Sequence, residues 1–240
     1  MPKHVQARAM LVLAAMLNII PLAYTGLLLA PGTVTGGDTD ARLHFIAGHA
    51  EAWSVGWFLW MGGSIGLVLS IWVLSQTFLL RTRTPALLRF APLVAVIGGT
   101  VDLVGDAIQA TTFPAMASHY VALAPGDPAR ATIALIFDVM DHLASGVSAG
   151  VANTVYCIAG VLVLASLATI SDFPRWLTAL GALAWLATLA ATPAVFFPHL
   201  LPFVVAGALG MFAAWLVAIA VWGIGDFKLR VPHLYHYRRV

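Results

Sequence analysis

Asp102 and Asp106 stand four residues apart inside one long apolar run. They therefore share a helical face, which Gln109 continues. Asp138, Asp141, His142 and Ser145 follow the spacing i, i+3, i+4, i+7, a single stripe near the start of another apolar run. His44, His49 and Glu51 open a third. The whole chain of 240 residues has only ten acidic side chains, so this concentration is a signal. A charge at the centre of a bilayer costs about 2.5–3.5 kcal/mol on insertion scales, and such residues are functional candidates by default.

Histidine with carboxylates suits zinc, manganese or non-haem iron. Asp138 and His142, one turn apart, can ligate one ion, and His49, Glu51 and Asp141 complete a metal set of five candidates. An open coordination position on that divalent metal activates water, here for hydrolysis of an ester or amide in a lipid-like substrate. Asp102 and Asp106 take the catalytic positions in that reading. No HExxH, HxxxH or CxxC pattern accompanies them. Three other readings use the same residues. Asp102 and Asp106 with His142 form a proton relay in a proton-coupled carrier. His49 and His142 ligate a haem axially in a redox protein. Or the stripes are solvated ends of a structural membrane subunit, with Asp138 favouring a helix N-terminus. A retinal-type Schiff base is disfavoured, because the only lysines, Lys3 and Lys228, fall outside the apolar runs.

The elements that position these groups follow from composition. The chain is 61% hydrophobic and 9% charged, with mean hydropathy +0.93. A soluble domain is about 25% charged. The sequence therefore reads as an all-α, polytopic membrane protein with lipids as its surroundings. A net charge of +2, dispersed along the chain, gives no nucleic-acid footprint. Cys157 is alone and lies in an apolar run, as a small filler. Six segments reach the roughly 20 residues a crossing needs: 9–30, 52–80, 86–113, 131–170, 176–197 and 200–224. The first follows Lys3, His4 and Arg8 and is too long for a signal-peptide core, so it reads as a retained span. The breaks fall at Pro31-Gly32 to Gly36-Gly37, at 81–85, from Pro114 to Pro128, at 172–174 and at Pro198. The expected architecture is one six-span bundle over residues 1–240 with a basic-aromatic tail at 227–240.

Charge placement orients it. Lys3 and Arg8 precede span one, and Arg81, Arg83 and Arg89 surround the second loop. Arg175 follows span four, and Lys228, Arg230, Arg238 and Arg239 follow span six. The odd loops hold only Arg42 and Arg130. This is the positive-inside pattern with both termini cytoplasmic, as in a bacterial inner membrane. Helical rise places His49, Glu51, Asp138, Asp141 and His142 roughly 42–48 Å from the cytoplasmic edge, and Asp106 roughly 27 Å from it. The hydrocarbon core is ~30 Å thick, so spans two and four are expected to extend past the outer interface. His44 and Glu51 share a face on a continuous helix. His49 does not, since two residues rotate a helix by about 200°. His119 and Tyr120 are expected in the third, external loop. Trp53, Trp57 and Trp60 are expected at the outer interface. Gly62 with Gly66, and Gly146 with Gly150, mark possible close helix contacts.

The segment Phe173-Pro174-Arg175-Trp176-Leu177, leading into 179–192, resembles the opening of the fifth span in uncharacterised bacterial six-span integral membrane proteins. That resemblance covers about twenty residues and implies the six-span fold; it carries over no activity and no site residue.

The topology has a direct check. A tag fused after Val240 should be inaccessible to a membrane-impermeant label in intact cells and become accessible on permeabilisation. Labelling of the tag in intact cells would reverse the assignment.

Overall fold

Hydrocarbon offers no partner to a backbone N–H or C=O, so a chain this apolar must satisfy them within its own helices. The computed structural model describes residues 3–33, 38–197 and 199–224. The tail at 227–240 lies outside them. Among the described residues there is no strand. The α-helices are α1 (Lys3–Tyr24), α2 (Thr39–Gly48), α3 (Ala50–Phe78), α4 (Pro85–Ala107), α5 (Phe113–Ala122), α6 (Pro128–Ser145), α7 (Asn153–Leu167), α8 (Arg175–Ala194) and α9 (Leu201–Ala218). Six helical stretches are long and apolar enough to cross a membrane: Lys3–Gly32, Ala50–Phe78, Pro85–Ala122, Pro128–Leu167, Arg175–Ala194 and Leu201–Gly223. The third and fourth are composites. A π turn at Ile108–Thr112 joins α4 to α5, and another at Gly146–Ala152 joins α6 to α7.

The spans close into a ring in chain order. α1 packs on α3, α3 on α4, α4 on α7, α7 on α8, α8 on α9, and α9 returns to α1. In lipid such contacts are held by close packing rather than by hydrophobic burial, which favours small residues at the seams. The α1–α3 seam illustrates this: a Cβ added at Gly66 would stand 2.8 Å from Leu17 Cβ. Its close partner is Gly63, facing the Leu17 carbonyl, more than Gly62. At Gly146 an added Cβ meets nothing within 4 Å, so the second expected pair makes no such seam. Ile65, Ile97, Val104 and Val161 are exposed, as bilayer-facing side chains should be. A second apolar cluster forms a cap at one end of the ring, where α2 lies on α5 and α6 through Leu43, Ile46, Phe113, Ala117 and Phe137.

Two expectations are corrected here. The stretch from His44 to Glu51 is not one helix: the backbone turns at His49 (φ −131°, ψ 32°), separating α2 from α3. The third loop is shorter than expected, because the helix continues past Pro114 to Ala122 and carries His119 and Tyr120 with it. Of the α3 tryptophans, Trp53 is buried at 1% exposure, Trp57 and Trp60 are partly buried, and Trp72 is exposed.

The helix that continues past Pro114 is tied to the buried Trp53. Pro114 has no N–H to return to Ala110, or to Gln109 across the widened π turn. Side chains from α3 take its place: the Trp53 indole donates to the Gln109 carbonyl at 2.8 Å, and Ser54 Oγ donates to the Ala110 carbonyl at 2.7 Å. An enclosed acceptor left without its donor costs about 1–3 kcal/mol. Trp53→Phe keeps most of the ring volume and removes the donor. It should lower the unfolding free energy in detergent by about 1–3 kcal/mol, whereas Trp53→Phe as stable as wild type would show the indole bond to be dispensable.

Candidate functional site

A cavity of about 90 Å³ lies inside the ring, and every span contributes to its wall: Asn18, Ser64, Asp102, Ser148 with Tyr156, Thr188 and Phe212 represent spans one to six in turn. Asp102 is its most heavily hydrogen-bonded residue. Ser148 Oγ donates to its Oδ1, Ser64 Oγ to its Oδ2 at 2.8 Å, and the Tyr156 hydroxyl to the same oxygen at 3.3 Å. Asp106, one turn further along α4, is 2% exposed. Its partner among the described residues is again Ser64, at 3.4 Å. A serine hydroxyl has one hydrogen to give. The geometry awards it to Asp102, and Asp106 is the less satisfied acid. No Lys, Arg or His lines the cavity. A carboxylate enclosed in low dielectric without a cation is strongly unfavourable. The pair therefore requires positive charge from outside the side-chain set, as a proton or as a small cation.

Local sequence explains how these groups meet. Tyr156 crosses α4 at Gly98 and Gly99, where added Cβ atoms would lie 3.0 Å from its ring and 2.8 Å from Val68. The two glycines thus admit a tyrosine rather than loosen the helix, and α4 remains regular through them. Ser148 sits in the π turn Gly146–Ala152. A π turn holds an extra residue, which offsets the helical faces on either side of it. Gly105 lets that turn approach α4 closely enough for Ser148 to reach Asp102. Asn153 and Tyr156 line the cavity beyond the offset.

The five residues expected to hold a metal take up other arrangements at the capped end. Asp141 is bonded to Arg42 Nη2 at 2.7 Å and to Gln109 Nε2 at 3.3 Å. Arg42 also donates to the Gly32 carbonyl at 3.1 Å and lies over the Phe137 ring at 4.9 Å. Asp138 accepts from Thr39 at 2.7 Å. His49 is exposed; its Nδ1 stands 2.9 Å from the Phe45 carbonyl and its ring stacks on Phe45 at 4.3 Å. His142 is exposed too, with Nδ1 3.1 Å from the Asp138 carbonyl, and Glu51 is exposed. Among the described residues no three His, Cys, Asp or Glu side chains are grouped to hold a metal ion. His142, drawn above into a relay with Asp102 and Asp106, does not line the Asp102 cavity. The break at His49 turns that ring back on α2, and Arg42 brings its guanidinium to Asp141.

Sequence reading missed Ser64, Ser148, Tyr156 and Arg42. The hydroxyls carried a faint signal, as lone polar residues in apolar runs. Arg42 carried one as well, as the single Lys or Arg of the first loop. Comparison of the chain with protein-family models, with curated proteins and with solved structures finds no match.

Gly105 offers a clean test of the seam that builds the site. A Cβ there would fall 2.9 Å from the Ala144 carbonyl oxygen and 3.0 Å from Ser148 Cβ. Overpacking of this kind costs about 1–3 kcal/mol. Gly105→Ala should lower the melting temperature measurably, while Gly146→Ala, into open space, should not. Equal stability of the two variants would contradict the close approach.

Proposed function

We propose that this chain is a proton-coupled carrier, an integral multi-pass protein of a bacterial inner membrane with both termini cytoplasmic, in which Asp102 and Asp106 hold the coupling proton. One observation carries the reading: Asp102 and Asp106 share Ser64 inside a ring of six spans, and no cationic side chain lines the cavity that Asp102 faces. Intramembrane acids without a fixed counter-charge suit reversible loading by a proton. The cavity volume of about 90 Å³ supports an ion or a few waters there rather than a drug-sized substrate, whose sites span about 300–1,000 Å³. The π turns next to Asp106 and across Ser148 also support it, since such turns are frequent at functional sites.

A metal-dependent membrane hydrolase has less support. Asp138 and Asp141, two of its expected ligands, are engaged by Thr39, Arg42 and Gln109, while His49, Glu51 and His142 are exposed. A haem between His49 and His142 has less support for the same reason.

Infrared difference spectra of the protein in lipid, recorded between acidic and alkaline pH, test the proton site. A protonated-carboxyl carbonyl band should titrate in the wild type and be lost in Asp102→Asn/Asp106→Asn. Persistence of the whole band in that double variant would remove the basis for the carrier.

A further inference from the structure

A second cavity, of about 430 Å³, lies at the capped end, with walls from spans one, two, three, four and six and from Arg42 of α2. Its size falls in the range of small-ligand sites. Val205 lines both cavities, so this one sits above the aspartate site along α9. The wall has two characters. One side is apolar, with Leu22 from α1 and Leu201 and Phe203 from α9. Phe203 and the neighbouring Leu27 and Leu28 are exposed, on the flank that a bilayer would cover. The other side carries Arg42, Asp141, Gln109 and Trp57.

The polar side is specific about charge. Arg42 and Asp141 neutralise each other at 2.7 Å, with side chains only 8% and 17% exposed. The wall therefore offers no net charge to an ionic head group. Two atoms remain unsatisfied: Gln109 Oε1 and Trp57 Nε1 are enclosed and have no hydrogen-bond partner among the described residues. Gln109 is 6% exposed. Its amide orientation is set by Asp141, which accepts from Nε2 and leaves Oε1 as the free acceptor. The wall thus holds one enclosed acceptor and one enclosed donor without partners. A hydroxyl or an amide both donates and accepts, whereas a carboxylate only accepts and an ammonium only donates.

We propose that this cavity binds an amphiphile with an uncharged hydroxyl- or amide-bearing head and an apolar chain, drawn from the lipid phase between spans one and six. The head lies against Gln109 and Trp57, each reached by a small rotation of its side chain, and the chain lies along Leu22 and Phe203. Partnering an enclosed orphan group recovers part of its desolvation cost, which gives the uncharged head its advantage. This inference is independent of the proton reading, since it uses neither Asp102 nor Asp106.

The test is native mass spectrometry of the full chain released from phosphatidylcholine nanodiscs, with 1-monooleoylglycerol as probe. Oleate and oleylamine serve as probes with the same chain and a charged head, and glycerol as the free head. Monooleoylglycerol should be retained at least tenfold more than either charged probe. Gln109→Leu and Trp57→Phe should each lower its retention about tenfold, and Asp106→Asn should leave it unchanged. Equal or better retention of oleate or oleylamine would overturn the proposal, as would wild-type retention in both variants. Displacement of the probe by millimolar glycerol would overturn the amphiphile assignment in favour of a free polyol. Should a variant fail to fold, the wild-type selectivity series decides alone.

Discussion

Ser64 has one hydroxyl hydrogen and two carboxylates to serve, at 2.8 Å and 3.4 Å. Much of the bundle is arranged around that shortage. Because α4 carries both acids on one face, α3 must bring a small donor to it and α7 a long one, and the π turn before α7 must deliver Ser148 to the far side. Glycines at 98, 99 and 105 set how closely those helices approach. The other spans close the ring with apolar and neutral polar side chains. No cationic side chain lines the Asp102 cavity, which distinguishes it from Asp141, whose counter-charge is fixed on Arg42.

The two kinds of acid illustrate two solutions to one physical problem. At the capped end, carboxylates near an interface are held by structural partners: Arg42, Gln109, Thr39, and for Asp40 the Tyr120 hydroxyl at 2.5 Å. These bonds tie α2 to α5 and α6 over an apolar cluster. Deeper in the ring, neutral hydroxyls stabilise a carboxyl in either protonation state, because a hydroxyl both donates and accepts. The capped end thus reads as architecture and the ring interior as the place where charge can change.

What could be read from residues alone follows the same division. Hydropathy located the six membrane-length helices, since length and composition are local properties. The shared face of Asp102 and Asp106 was legible too, because α4 is regular across them. Two kinds of feature were not. Helical-wheel arithmetic fails across a π turn, so the relation of Asp138 to Asn153 and Tyr156 was hidden by the extra residue in Gly146–Ala152. It fails also across the break at His49, which looked like continuous helix because no proline or paired glycine marks it. The partnership of Arg42 with Asp141 spans 99 residues, and nothing local specifies it. The metal cluster was assembled from heights along straight helices, a measure that cannot see which carboxylate already has a cation.

Trp53 and Ser54 act as two rivets through the wall between spans two and three. Each grips a carbonyl that Pro114 cannot serve, so sliding one span past the other would strip the partner from both acceptors at once. Spans two and three are thereby coupled as a single plate. A rearrangement of the kind the proposed carrier needs would leave this plate intact and fall at another seam of the ring.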